Sequence, residues 1–385
     1  MNRAQLFWSA CGGIFVFGIV LAILGALFGL PEMRARLDID LAQQGNVFLL
    51  LFLGVFLSTI VVGPVIDSFG NKVVLASSSA LVTVALSMFA AASSFAEAAI
   101  AALVLGLGGG GLNTATNALV ADLYADDRGA MLNLLGMFFG FGALFIPLLA
   151  AIITGILTIP QLLLVAAGLS AVLTIIYLAL RFPAAAEKIG FSLLASIRAA
   201  GIPGVMLLAL VLLFQSGNES SIGGWTSTYL GSIGAPPRTA TWILAGYWGA
   251  LMIGRMLAAK VLGQMTKSRL ILMSAAGSAI GCAVMLASQA VPIVAAGAVI
   301  AGLSFAAIYP TTLAIAADRY QRQSGTIFGL LFAVGLIGGM LFPWALGQIS
   351  QRAGVRVGMV LPLIGSVAIA VVVIAIRSAE RRSHA

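Results

Sequence analysis

Glu219 is the one carboxylate that the sequence sets well inside an apolar stretch, within a polar interruption that runs from Gln215 to Tyr229. A carboxylate so placed has three uses. It can take up and release a proton, hold sodium together with Gln215, Asn218 and backbone oxygens, or make a structural hydrogen bond to a neighbouring helix. Further along the same segment, Trp225 and Tyr229 are either part of a binding site or members of an aromatic belt. A second polar group, Asn113 and Asn117, is spaced by one helical turn and therefore shares a helix face. Two carboxamides there either hydrogen-bond a polyhydroxylated solute or glue helices together. Other chemistry is missing from the sequence. The sole histidine is His384, so there is no imidazole relay. Cys11 and Cys282 have no metal or disulfide spacing. The glycines from Gly108 to Gly111 lack the lysine of a phosphate loop. Neither a metal, a cofactor nor an enzymatic reaction is expected.

Composition defines the solvent in which these residues act. Hydrophobic residues make up 61% of the 385 and charged ones only 8%, against roughly a quarter charged in soluble proteins. The mean hydropathy of +1.12 points the same way. Apolar runs of about 20 residues are read as membrane spans. They are predicted at 7–30, 45–66, 72–93, 97–121, 130–155, 159–181, 203–230, 240–262, 270–289, 292–317, 324–349 and 356–377. The first run is too long for a signal peptide and lacks a small-residue cleavage site, so it is read as a retained helix. Of the 20 Lys and Arg, only Arg34, Arg36, Arg238, Arg352 and Arg356 fall in loops on one side. The positive-inside rule then places both termini in the cytoplasm and the chain in the cell membrane, against lipid. The net charge of +8 is spread over short loops, which makes it a topology signal and argues against nucleic-acid binding. A charge at bilayer depth costs at least about 2.5 kcal/mol, so Glu219 should face a protein-lined cavity and serve ion or solute movement. Glycines and serines around it weaken a regular helix, and a break in span seven is expected.

An internal repeat supplies the architecture. An offset of 196 positions lays Gly106 on Gly302, Thr116 on Thr312, Asp122 on Asp318, Tyr124 on Tyr320, Gly142 on Gly338 and Pro147 on Pro343 without a gap. The expected fold is an all-α integral membrane protein whose twelve spans form two six-helix repeats. The bundles are placed at 1–182 and 203–385, joined by a cytoplasmic connector at 183–202 in which Glu187 to Ala199 could form a surface helix. Parallel repeats of this kind rock about a site at the midplane. The offset sets Asn113 opposite Tyr309, with Thr312 on the same face, and makes Ile23 the counterpart of Glu219.

Between spans two and three, Gly63, Pro64, Asp67, Gly70 and Lys72 stand in a spacing that resembles the loop signature of the major facilitator superfamily. Asp67 is read as a gate residue, with Ala259 and Gly263 at the equivalent places of the second copy. Glu219 followed by Gly223, Gly224, Trp225 and Tyr229, with Gly246, Tyr247, Trp248, Gly254 and Arg255 in span eight, resembles the fucose:proton symporter family. Ala307, Tyr309 and Pro310, and Gly338, Pro343 and Trp344, extend the likeness. The resemblance implies a sugar or sugar-like solute carried by a proton or sodium gradient; uptake is the leading reading, and a monomer is expected. Solute contacts are expected from Asn113, Asn117, Gln215, Asn218, Trp225, Tyr247, Tyr309 and Thr312. Arg255 is assigned to an inner gate without a direct pair to Glu219, and Lys260 to snorkelling. Fucose permeases carry acids on their first and fourth helices, which this chain lacks, so their coupling scheme does not transfer. The rival reading is export of apolar or amphiphilic compounds, consistent with many Phe and Met; a receptor or scramblase has no appended domain in its favour.

Overall fold

The computed structural model describes residues 2–153, 155–183, 200–261, 264–320 and 324–383. The connector segment 184–199, Gly263 and His384 lie outside them. By packing, the chain divides into two compact units, Met1–Phe191 with Pro237–Ala245 and Ser192–Pro236 with Gly246–Ala385. The protein is a multi-pass membrane protein built of helices. Polar side chains such as Gln44, Ser79, Ser170, Gln215 and Asn218 are buried, whereas Ile175 is 66% and Val371 60% exposed. Apolar outside and polar inside is the arrangement that a hydrocarbon solvent selects.

The first unit contains α1 (Arg3–Phe28), α2 (Pro31–Leu37), α3 (Leu41–Ala91), α4 (Phe95–Leu123), α5 (Arg128–Ile153) and α6 (Ile159–Ala179). Several starts have a local cause. Asp40 and Gln43 form a reciprocal capping box at α3, as do Thr158 and Gln161 at α6. Arg36 donates to the Ala90 carbonyl at 2.5 Å, placing a cation at the end of span three. Spans two and three are the two halves of α3, and the turn between them is shorter than the sequence implied. Residues 63–69 are helical, and only Gly70 leaves the helix, with φ 80°. That angle favours glycine. Further along, Ser79 and Ser170 each donate to the other's carbonyl at 2.8 Å, which ties α3 to α6.

The second unit contains α7 (Pro203–Ser232), most of α8 (Pro237–Val261), α9 (Lys267–Ala287), α10 (Val291–Phe305), α11 (Ile308–Arg319), α12 (Ser324–Ala353), α13 (Val355–Gly358) and α14 (Val360–Ser383). Two expectations change here. Span seven is a continuous helix in spite of its glycines, because Gly217 is packed under the Phe342 ring and Gly223 under Trp248, where a larger residue could not fit. The break instead lies in span ten, between α10 and α11.

The repeat holds at the level of backbone contacts. A Cβ on Gly106 would overlap the Leu51 carbonyl, and one on Gly302 would lie 2.6 Å from the Tyr247 carbonyl; both residue pairs are 196 apart. Spans one and seven obey a different offset. Gly142 is seated on the Phe15 carbonyl and Gly338 on that of Leu213, and residues 15 and 213 differ by 198. Gly18 against Phe139 and Ser216 against Gly335 give the same value. The chain is two residues shorter between Ser216 and Tyr247 than between Gly18 and Leu51. The counterpart of Glu219 is therefore Leu21, which is half-buried like Glu219, and not the fully buried Ile23.

These contacts predict unequal tolerance. Gly338→Val must displace the α7 backbone and should cost about 1–3 kcal/mol or more, whereas Gly136→Ala, with no atom within 4 Å of the added Cβ, should be neutral or slightly stabilising. Thermal unfolding of the two detergent-purified variants checks this.

Candidate functional site

Glu219 lies in the second unit, on the stretch of α7 where small residues let α8 and α10 come close. Gly254 meets the Leu303 carbonyl, Gly302 meets Tyr247, and Gly223 meets Trp248. The result is a cluster of polar groups around one carboxylate. Arg255 Nη2 is 3.7 Å from Glu219 Oε1, with the two side chains 31% and 16% exposed. This corrects the expectation of no direct pair. Axial position along the helices was the wrong measure, since a long arginine stem carries its guanidinium well away from its own Cα. Gln215 lies one turn before Glu219, and its Nε2 is 3.4 Å from Glu219 Oε2 and 3.1 Å from the Phe305 carbonyl. The Tyr247 hydroxyl donates to the Glu219 carbonyl at 3.2 Å.

Tyr309 belongs to the same neighbourhood. It is half-buried, stacks on Phe332 at 6.2 Å, and lies within electrostatic reach of both Glu219 and Arg255. Other residues expected in the site do other work in the structure. Asn218 turns toward α14, donating to Ser366 Oγ at 3.3 Å with its Oδ1 against Gly365. Thr312 is buried and donates to the Ile308 carbonyl of its own helix at 2.7 Å. Trp225 and Tyr229 are fully buried, and Tyr229 donates to the Met285 carbonyl at 3.1 Å. Neither ring can serve as an interfacial belt, which needs a face toward lipid and water.

In the first unit, Asn117 Nδ2 donates to the Asn113 carbonyl at 2.8 Å and to Asn113 Oδ1 at 3.1 Å. Both are half-buried, so the shared face predicted by their spacing exists and keeps free surface. Asp67 is half-buried on α3 and has no ion pair with any described residue. Its neighbour Lys72 donates to the Leu178 carbonyl at 2.7 Å. The second-copy residues Ala259 and Gly263 have no described side chains. Among the described residues no three His, Cys, Asp or Glu converge as metal ligands.

Sequence reading did not find the ion pair of Lys267 with Asp318. It also missed the role of Phe305, whose carbonyl enters the site because its helix ends there. Pro310 was the available signal for that break. The Arg255 pair predicts a test. Arg255→Ala leaves the carboxylate without its cation and should cost about 1–3 kcal/mol, below the 3–5 kcal/mol of fully buried pairs. In the Glu219→Gln background the same substitution should cost less than half as much, by thermal unfolding of the double-mutant cycle.

Comparison with known proteins agrees with this architecture. Solved structures that resemble the chain include the nucleoside transporter NupG, with TM-score 0.81, 15% identity and coverage of 97% of this chain and 99% of that one. A D-xylose–proton symporter matches with TM-score 0.82, 13% identity and 97% of each chain. The fucose:proton symporter FucP of E. coli matches with TM-score 0.66, 18% identity, 98% of this chain and 99% of that one. No curated protein matches the sequence significantly. The family model described as Major Facilitator Superfamily matches residues 10–234 and again 208–385. Twelve spans in two related six-helix halves, each matched by that model, show that the chain belongs to the major facilitator superfamily and is a membrane transporter, not an enzyme.

Proposed function

We propose that the protein takes up a sugar or sugar-like polar solute by alternating access, driven by a proton gradient through Glu219. The observation that carries this reading is a carboxylate inside a span with a cation, Arg255, beside one oxygen and an amide, Gln215, beside the other, so that its charge is coupled to groups on neighbouring turns and helices. A sodium ion on the carboxylate would face the Arg255 guanidinium 3.7 Å away, whereas a proton neutralises the carboxylate without adding a second cation, which favours the proton. That three similar structures are named as transporters of a nucleoside, xylose and fucose, two of them with protons, is consistent with a polar solute.

Each unit is proposed to supply its own solute contacts. In the first these are Asn113 and Asn117, whose amides both donate and accept. In the second it is Tyr309, which retains surface beside the coupling carboxylate of Glu219. Gln215, Asn218, Trp225, Tyr247 and Thr312 have no exposed surface and would contribute by holding those groups in place. Asp67 and Arg255 are proposed as gate residues, in a monomer with both termini in the cytoplasm.

Export of an apolar compound is the second reading, and one feature favours it. An open apolar groove of about 390 Å³ in the first unit is lined by Phe15, Phe138, Phe141, Leu144, Phe145 and Leu148, with no polar side chain. The two readings separate in one assay. Vesicles loaded with the protein should accumulate a member of a sugar panel under an inward pH gradient. Glu219→Gln should lower accumulation roughly tenfold or more, a loss of about 1.4 kcal/mol in coupling, while leaving solute exchange without a gradient. Gradient-driven uptake indifferent to Glu219→Gln would remove Glu219 from the mechanism; dependence on sodium alone would replace the proton. Resistance of overexpressing cells to amphiphilic drugs, without sugar uptake, would select the exporter.

A further inference from the structure

Span ten of the second unit is interrupted, and its counterpart in the first unit is not. α10 stops at Phe305 and α11 starts at Ile308; Ala306 and Ala307 between them keep right-handed helical dihedrals, so the interruption is a kink within one span. Pro310 is the cause. It has no amide hydrogen to give the Ala306 carbonyl, and its ring crowds that carbonyl. The residue 196 positions earlier is Thr114, and α4 runs unbroken from Phe95 to Leu123. At the interruption the Phe305 carbonyl accepts from Gln215 Nε2, the same nitrogen that lies 3.4 Å from Glu219 Oε2. The first unit has an apolar contact at this place. Phe17, 198 positions before Gln215, lies against Gly109, 196 positions before Phe305, with 3.3 Å from its ring to a Cβ built there. An amide that bridges two acceptors is thus found where the second unit carries its carboxylate and its broken helix.

We infer that Gln215 is a positioning residue that ties the charge of Glu219 to the conformation of the break in span ten. The inference rests on the reading of Glu219 as the group whose charge changes. Nε2 carries two hydrogens, enough for the carboxylate and the Phe305 carbonyl together. An ionised carboxylate is the stronger acceptor and fixes the amide in that bridging pose. Neutralising it weakens one anchor and frees the amide to turn. The Phe305 carbonyl then loses its donor in surroundings where an unsatisfied carbonyl is costly, so the two helix halves must repack. Tyr309 lies just beyond the break and moves with it. The charged and titratable groups that face Glu219 are Arg255 and Tyr247 from α8 and Tyr309 from α11, and each of them would sense the same change.

Hydrogen exchange of the full-length protein in lipid nanodiscs, without solute and in alkaline buffer, tests this. Glu219→Gln should raise exchange of the amides at 306–309, 311 and 312 severalfold over wild type. Gln215→Met, which keeps the volume and removes the donor, should raise it as much with Glu219 intact. In the Gln215→Met background, Glu219→Gln should then add nothing. Should Gln215→Met not fold, Gln215→Asn, an amide too short to bridge both acceptors, takes its place. Unchanged exchange at these amides in Glu219→Gln, or an equal increase with and without Gln215, overturns the inference. Because no solute is used, a Glu219→Gln variant that loses uptake but shows no change in exchange leaves the proposed function standing and removes this link alone.

Discussion

Helix backbones in hydrocarbon gain little from hydrophobic exclusion and must be held by close packing and internal hydrogen bonds. In this protein that constraint is met by glycines seated on carbonyls of the neighbouring helix. Gly106 on Leu51, Gly142 on Phe15, Gly302 on Tyr247 and Gly338 on Leu213 bring backbones into direct contact. The polar cluster depends on this approach. Only with α8 drawn onto α7 and α10 through Gly223, Gly254 and Gly302 do Arg255 and the Tyr247 hydroxyl come within reach of Glu219. The desolvation cost of a carboxylate there is offset by groups that neighbouring helices deliver, since α7 alone provides one amide, Gln215.

The two halves keep the same contact positions and fill them with different chemistry. Tyr309 stands for Asn113, Pro310 for Thr114, Gln215 for Phe17 and Glu219 for Leu21. Three of these exchanges, Pro310, Gln215 and Glu219, move polarity or irregularity into the second unit, whereas the first keeps a neutral amide pair on an unbroken helix. Duplication thus supplied two equivalent scaffolds, and the charged machinery was set on one of them.

Parts of the site were legible because they depend on residue type and short spacing. The Asn113–Asn117 pair follows from a four-residue interval, and the isolation of Glu219 follows from its neighbours in the chain. The Arg255 partner was not legible. Whether two antiparallel helices bring such side chains together depends on how near their axes approach and on where a flexible stem extends. The continuity of α7 was equally hidden, since glycine lowers helix propensity in isolation but permits close packing under Phe342 and Trp248. Trp225 and Tyr229 looked interfacial by position and are in fact enclosed, because burial is a property of the neighbours.

The sequence by itself determined the solvent, the twelve spans, the duplication and the place of the one intramembrane carboxylate. These follow from composition and local periodicity, which need no knowledge of contacts. Only the tertiary structure decided the register of span seven against span one, the partners of Glu219 and the helix that breaks. The register shifted by two residues because a connecting segment is shorter, and it moved the counterpart of Glu219 from Ile23 to Leu21. The partners and the break were set by which side chains the packed helices present to one another, and spacing along one chain does not encode that.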